Sequence, residues 1–106
     1  MYAVVRDLSY DPRKLAGAER QMAEFQELHA SQPGYRGNLV VGVGNGRMLV
    51  VNLWESEDRA RAALDVMVPA VQRLIEPLMT RPAELVGTGP VESTDLVPPR
   101  LADRAA

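Results

Sequence analysis

Cysteine is absent from the 106-residue sequence, and histidine occurs only once. The absence of cysteine excludes disulfides, thiol nucleophiles and thiolate metal sites. Neither sign of charge dominates, because 12 basic and 14 acidic side chains give a net charge of −2, so we expect no nucleic acid partner and no binding to an anionic membrane. No apolar run reaches the roughly 20 residues of a membrane span, and the N-terminus lacks the features of a signal peptide, which predicts a cytoplasmic protein.

The length of the chain predicts a single domain with a core of two layers. We expect residues 1–91 to form this domain. Residues 92–106 are more polar and contain the pair Pro98-Pro99, so they form either a disordered end or an arm that lies on a partner. The sequence leaves these two alternatives open.

A β-hairpin is the strongest local signal in the chain. Asn45-Gly46 is typical of a type I′ turn, because both central positions of that turn need a positive φ. The apolar run at residues 39–43 and the run at residues 48–54 are therefore predicted to pair as antiparallel strands. The second run includes Asn52, an amide that strands disfavour and that an interior tolerates only when its hydrogen bonds are met. Asn52 and Trp54 are two residues apart and must share one face of the sheet.

Two helical tracts are indicated by capping residues and apolar spacing. Asp11 at the N-cap with Pro12 at the first position begins a helix that we expect to run to about residue 31. Ser56 caps a second helix, predicted over residues 56–67. Pro69 predicts a kink or break at Val68, followed by a shorter helical piece over residues 71–79.

The order of elements predicts an α+β fold of the ferredoxin-like type. Strands at residues 2–7 and 84–88 complete the order β-α-β-β-α-β, which builds a four-stranded antiparallel sheet with both helices on one face. The strand at residues 48–54 is apolar on both sides, whereas two helices cover only one side. An uncovered apolar face marks an interface, so we expect a homodimer that forms through the sheet faces.

The chain resembles the antibiotic biosynthesis monooxygenase domain of the dimeric α+β barrel superfamily. The resemblance rests on the element order, on residues 33–37 (Pro-Gly-Tyr-Arg-Gly) and on the strand-to-helix junction at residues 52–58, and it covers about residues 2–91. It implies a monooxygenase that uses no metal, flavin or haem and lets the anion of a phenolic or polycyclic aromatic compound react directly with O₂. The superfamily also includes other activities, and fold alone does not fix function.

The resemblance implies candidate site residues in a pocket between the sheet and the helices. Asn52 and Trp54 match the family's donors at the end of the third strand, and Arg6 on the neighbouring strand adds a cationic donor if it faces the same side. These three are the predicted catalytic residues. The predicted residues for binding a small aromatic substrate are Tyr2, Met22, Phe25 and Met67. No cofactor and no metal site are predicted.

Each candidate also has an ordinary structural interpretation. Trp54 could be a core aromatic, Asn52 an amide that bonds a neighbouring strand, and Arg6 a solvated or ion-paired surface residue. The methionines and Phe25 could simply fill the core. His29 near the end of the first helix is interpreted as a capping or exposed cation. There are therefore two alternatives to an enzyme. One is a non-catalytic dimer that binds a small molecule, and the other is a structural module without a cavity.

The haem-degrading members of the superfamily provide a test by absence. In these members, as the resemblance implies, a histidine on the second helix is the ligand of the haem iron. The tract at residues 56–79 contains no histidine. We therefore expect no haem oxygenase activity.

Overall fold

A computed structural model describes residues 1–96 of the chain. Four strands form one antiparallel sheet in the order β2-β3-β1-β4: β1 (Tyr2–Ser9), β2 (Tyr35–Gly44), β3 (Arg47–Trp54) and β4 (Glu84–Pro90). There are three α-helices among the described residues: α1 (Pro12–Ala16), α2 (Glu19–Ala30) and α3 (Glu57–Ala70). A π-helical turn (Val71–Ile75) and a 3₁₀ turn (Glu76–Leu78) follow α3 directly. The predicted ferredoxin-like α+β fold is confirmed, with β1 and β3 in the centre of the sheet.

The predicted hairpin joins β2 to β3. Asn45 has a φ of 56° and Gly46 a φ of 79°, as a type I′ turn requires. β2 begins at Tyr35, earlier than the apolar run at residues 39–43 predicts. The reason is that two register shifts, between Tyr35 and Gly37 and between Gly42 and Gly44, let a glycine-rich strand keep its pairing with β3.

The hairpin turn meets two other parts of the chain at one corner of the molecule. The Tyr10 amide donates to the Gly46 carbonyl at 2.9 Å. The Asp11 amide donates to the Leu78 carbonyl at 2.8 Å, and the Thr80 amide to the Ser9 carbonyl at 2.9 Å. These bonds tie the end of β1, the hairpin and the end of the last helical segment together.

The single helix predicted over residues 12–31 is wrong in one respect, because it is broken at Gly17. Asp11 accepts a hydrogen bond from the Arg13 amide and caps α1 as predicted, but α1 ends at Ala16. The chain then turns at Gly17, which has a φ of −98° and a ψ of 9°. The turn brings the buried Ala18 into a core cluster with Tyr10 and the end of the last helical segment. Helical spacing alone cannot reveal this break, because the gain comes from tertiary packing.

The break predicted at Val68 is also wrong. Ser56 caps α3 as predicted, through a 3.2 Å hydrogen bond from the Arg59 amide, and α3 passes through Pro69 to Ala70. Proline removes only the hydrogen bond to the Asp65 carbonyl, and Asp65 lies on the exposed side of the helix, where water can replace the lost donor. The helix continues into the π-helical turn, so the predicted shorter piece is a direct extension of α3.

The two faces of the sheet differ in what covers them. Val50, Asn52 and Trp54 of β3 are buried against the helices, and the register places Tyr2 opposite Trp54 on the same side. The opposite face, which we call the open face, carries Leu39, Val41, Leu49, Val51 and Leu53. No helix among residues 1–96 covers it, and Val41 is 52% exposed.

An ion-pair cluster limits the open face near the end of β1. The buried Asp7 accepts a hydrogen bond from Arg47 Nη2 at 2.7 Å, and Arg81 Nη2 lies 3.8 Å from its other carboxylate oxygen. The hydrogen bonds from Arg47 hold the pKa of Asp7 below its usual value. A charged boundary therefore interrupts the apolar surface.

Residues 92–96 contain no helix or strand. The rest of the predicted tail, residues 97–106, lies outside the described residues. Within residues 1–96, the helices are too short or too polar to cross a lipid bilayer.

Candidate functional site

A cavity of about 750 Å³ lies between the sheet and the helices. Its size is within the range of about 300–1,000 Å³ that is usual for small-molecule sites. Apolar side chains from β1, β3, α2 and α3 form most of its wall, including Val4, Leu8, Met22, Phe25, Val50 and Met67. Two core clusters border the cavity, one around Trp54 and one around Tyr10, and Phe25 packs against both. The described interior is therefore not filled by methionine and leucine, as a purely structural module would require.

Asn52 projects from the middle of β3 into the wall of this cavity. Its side chain is buried, with 6% of the residue exposed. The Oδ1 atom has no hydrogen-bond partner among the described residues. An unpaired buried acceptor costs about 1–3 kcal/mol, which makes the Asn52 amide a candidate group for binding a polar ligand.

Trp54 lies at the end of β3 with 4% of the residue exposed, and it also lines the cavity. It belongs to a cluster of four rings, Phe25, His29, Tyr35 and Trp54, which we call the aromatic cluster. Tyr35 meets Trp54 edge-on at a centroid distance of 5.7 Å, and His29 lies 5.5 Å from Trp54. Burial raises the pKa of Tyr35, so its hydroxyl remains protonated at neutral pH.

Asn52, Trp54 and Arg6 have no hydrogen bonds from their side chains to other groups within residues 1–96. All three line the same cavity. The amide, the indole N–H and the guanidinium therefore keep their hydrogen-bonding capacity for a bound molecule. Trp54 is a core aromatic, as its ordinary interpretation states, but neither its N–H nor the Asn52 amide bonds the backbone of residues 1–96.

Arg6 is not the surface residue that its ordinary interpretation suggested. It is partly buried in the wall of the cavity, and no described carboxylate lies within 4.0 Å of its guanidinium. Strand alternation places it opposite Val50, on the same face as Trp54. Burial lowers its pKa from the usual value, but a guanidinium stays charged at neutral pH.

The interpretation of His29 as a capping or exposed cation is wrong. His29 is buried, with 7% of the residue exposed, and its ring lies 4.9 Å from the ring of Tyr35. Burial, and then the charge of Arg6, lower the pKa of His29 to about 4. It is therefore a neutral imidazole at pH 7. Its spacing after Met22 and Phe25 continues the apolar stripe of α2, and this spacing was the signal that could have placed it inside.

The four predicted binding residues do not all meet. Met22, Phe25 and Met67 line the cavity. Tyr2 packs behind Trp54 and is not part of the wall, because its hydroxyl donates to Thr88 Oγ1 at 2.9 Å and points toward Glu57 at 3.3 Å. Sequence alternation gave Tyr2 the correct face, but the strand end places it beyond the cavity.

No group of three histidine, aspartate or glutamate side chains within residues 1–96 could hold a metal ion. The polar groups of the site are thus hydrogen-bond donors and acceptors and one cation. Such a set can bind and orient an oxygen-bearing molecule and stabilise negative charge on it.

No family model matches the sequence, and no curated protein matches it. Solved structures match the fold closely. The NE2512 protein of unknown function from Nitrosomonas europaea has a TM-score of 0.71 at 17% identity, over 90% of this chain and 92% of that chain. The N63A mutant of SnoaB, a cofactor-independent oxygenase from Streptomyces nogalater, has a TM-score of 0.70 at 21% identity, over 88% and 94% of the two chains.

A further structure, an antibiotic biosynthesis monooxygenase, has a TM-score of 0.68 at 10% identity and covers 86% of this chain and 98% of that chain. These identities are too low to transfer an activity, but the agreement extends over nearly the whole length of each structure. The resemblance found in the sequence is supported by these matches. The chain has the fold of the antibiotic biosynthesis monooxygenases.

Proposed function

We propose that this protein is a cofactor-independent monooxygenase that oxidises a phenolic or polycyclic aromatic compound with O₂. The observation that carries the proposal is the buried Asn52 amide, whose Oδ1 has no partner within residues 1–96 and which lines the same apolar cavity as Trp54. The fold shared with SnoaB, a cofactor-independent oxygenase, supports it. The cavity between the sheet and the helices is the reaction site in this proposal.

The reaction needs an electron-rich substrate whose anion reacts with O₂. For an anthrone-type compound, removal of one C–H proton gives an anion that transfers electrons to O₂ as a C–O bond forms. Loss of the second C–H hydrogen and cleavage of the O–O bond release water and leave a carbonyl group. The balance is R₂CH₂ + O₂ → R₂C=O + H₂O, so no external reductant is required.

The residues of the cavity have distinct parts in this scheme. The Trp54 N–H donates a hydrogen bond to the oxygen on which the negative charge develops, and Asn52 Oδ1 accepts from a substrate hydroxyl. Arg6 stabilises the anion by its charge, which acts strongly because the apolar wall screens it little. The apolar wall also excludes water, which would otherwise solvate the anion and protonate it.

The test is oxygen uptake with a panel of anthrones and quinols. Trp54→Phe keeps a ring and removes the N–H, and we expect it to lower kcat by about 100-fold, as does removal of one oxyanion donor in other enzymes. Asn52→Ala removes the unpaired acceptor and should lower the rate by a similar factor. Arg61→Gln is the matched control, since Arg61 is 74% exposed on α3 and pairs only with Glu57.

Equal rates in the wild type, Trp54→Phe and Asn52→Ala would contradict the assignment. If the wild-type protein binds the aromatic compounds without consuming oxygen, the alternative of a non-catalytic binding protein replaces it. Circular dichroism spectra of the variants establish that each is folded before its rate is compared.

A further inference from the structure

Arg6 makes no ion pair with any carboxylate of residues 1–96. Arg6, His29 and Glu76 are the only residues of basic or acidic type in its described wall. His29 is neutral at pH 7 because burial and the charge of Arg6 lower its pKa to about 4. Glu76 is exposed on the 3₁₀ turn and lies more than 4.0 Å from Arg6. The wall therefore contains a carboxylate, but none of its described carboxylates lies close enough to pair with Arg6.

Arg6 differs in this respect from arginines on the surface. Several exposed arginines pair with carboxylates, including Arg47 with Asp7, Arg61 with Glu57 and Arg73 with Glu24. Exposed arginines that make no such pair are hydrated by solvent, whereas Arg6 is partly buried in the wall of the cavity. A partly buried guanidinium loses hydration, and it is stable only when another group compensates that loss. Since no described carboxylate lies within 4.0 Å of Arg6, a bound anion is the group that we expect to compensate this loss.

The surroundings of Arg6 restrict what this molecule can be. Arg6 lies on β1 next to β3, and the charge of Arg6 is close enough to act on His29 in the aromatic cluster. Flat rings can therefore lie against the aromatic cluster while a substituent reaches the guanidinium. The guanidinium fork matches a planar oxyanion better than a neutral group.

We propose that the cavity selects aromatic ligands that carry a carboxylate, and that Arg6 is the residue that recognises this carboxylate. This inference deepens the proposed function, because it identifies the acidic members of the aromatic compounds as the substrate class. Its relevance to turnover rests on the proposed function. Asn52 and Trp54 then act on a second oxygen of the same ligand. Arg6 is a specificity-determining residue in this arrangement.

The test compares two ligands of the same shape and different charge by isothermal titration calorimetry. Anthracene-9-carboxylate carries the anionic oxygen, and anthracene-9-carboxamide presents a neutral group on the same rings. We expect the wild-type protein to bind the carboxylate at least about tenfold more tightly than the carboxamide, which corresponds to one charge-assisted hydrogen-bonded pair. The preference should weaken as salt concentration rises, since the interaction is ionic.

Variants of Arg6 assign the preference to this side chain. Arg6→Gln should bind both ligands with equal affinity, close to that of the carboxamide in the wild type, and Arg6→Lys should retain part of the preference because the charge remains. Arg61→Gln is the control and should keep the full preference. An equal preference in the wild type and in folded Arg6→Gln, or no preference in the wild type, would overturn the inference.

This readout is independent of catalysis. If the carboxylate is preferred through Arg6 but no aromatic compound in the panel consumes oxygen, the proposed activity fails and the inference about the ligand class stands. If neutral quinols are oxidised with the Trp54 dependence described above while the carboxylate has no advantage, the inference fails and the proposed function stands.

Discussion

His29 has the most unusual environment of any titratable side chain in the wall of the cavity. It is surrounded by the rings of Phe25, Tyr35 and Trp54 at centroid distances of 5.7, 4.9 and 5.5 Å. A protonated imidazole there would lose hydration and would also face the charge of Arg6. The neutral form is therefore part of the folded state.

This environment predicts a pH dependence of stability. The pKa of His29 is about 4 in the folded protein and about 6.5 when unfolded, so the unfolded chain binds the additional proton between these values. Stability contributed by neutral His29 is present above pH 6.5 and is lost as the pH falls toward 4. Between pH 7 and pH 5, we expect the wild type to lose about 2 kcal/mol more of its free energy of unfolding than His29→Gln does.

Urea denaturation of both proteins at a series of pH values measures this difference. The carboxylates titrate in both proteins, so their contribution cancels in the comparison. Parallel curves for the two proteins would show that His29 is hydrated or paired in the folded state.

Strand alternation was sufficient to predict that Asn52 and Trp54 share one face of β3, and both line the cavity. The hairpin turn determined which strand they occupy, and their spacing determined that they share a face. The sequence could not place His29 correctly, because it lies inside only when α2 packs over β1 and β3. Arg6 was predicted in the pocket on the condition that it faces the same side as Trp54, and the register meets this condition. The face of the sheet predicted for Tyr2 is correct. Tyr2 nevertheless lies at the end of β1, outside the cavity wall, where its hydroxyl forms a hydrogen bond with Thr88.

At the level of elements, capping residues and turns were predicted reliably, whereas interruptions were not. Asp11, Ser56 and the Asn45-Gly46 turn act through contacts within a few residues, so their signals are local. The break at Gly17 and the passage of α3 through Pro69 depend on which side of each helix is buried. That information belongs to the packed molecule.

Two glycines predict opposite effects of the same substitution. Gly17 has a negative φ, and a Cβ atom added there would approach only the Lys14 carbonyl, at 4.0 Å. Gly17→Ala should therefore raise the free energy of unfolding by about 0.4–1 kcal/mol, because alanine reduces the entropy of the unfolded chain. Gly46→Ala should lower it by about 2 kcal/mol or more, because φ is +79° and the Cβ atom would collide with the Tyr10 carbonyl oxygen.

Thermal denaturation and urea titration of both variants check this pair of outcomes. Stabilisation by Gly46→Ala would mean that the hairpin turn does not touch the end of β1. Destabilisation by Gly17→Ala would mean that the break between α1 and α2 needs a glycine rather than a residue with an ordinary right-handed backbone.

For the molecule as a whole, the open face of the sheet is the feature that nothing in residues 1–96 covers. Leu39 and Val41 are about half exposed on β2, and the side chains on the same face of β3 are only partly buried. Apolar patches of this extent on a single chain mark an interface. We propose that two copies of the chain form a homodimer through their open faces, as the two-sided apolar strand predicts.

A charge placed on the open face should separate the two copies. Val41→Asp would bury an unpaired carboxylate in the proposed interface, so we expect the variant to sediment as a monomer at concentrations where the wild type is a dimer. Val66→Asp is the matched control, since Val66 is 45% exposed on α3 and Val41 is 52% exposed on β2. Val66→Asp should therefore remain dimeric.

Sedimentation velocity of the wild type and both variants measures the association state. A wild-type protein that is monomeric at micromolar concentration would contradict the dimer. Loss of the dimer in Val66→Asp but not in Val41→Asp would move the interface to the helices.

The order of the strands, and the face of the sheet that the helices cover, were predictable from the amino-acid sequence. The order β-α-β-β-α-β permits few topologies with right-handed crossovers. The cavity was predictable only as a possibility implied by the resemblance. Whether an interior is filled or hollow depends on small distances between packed elements, and apolar spacing is the same in both cases.

Trp54 is the only tryptophan in the chain, and it stands in the wall of the cavity. The intrinsic fluorescence of this protein, when excited beyond the absorption of tyrosine, therefore originates at the site itself. Its emission wavelength reports whether that wall is dry or wet, and energy transfer from it reports the distance to an absorbing ligand. The protein thus contains its own optical probe, and no label needs to be introduced to observe the cavity.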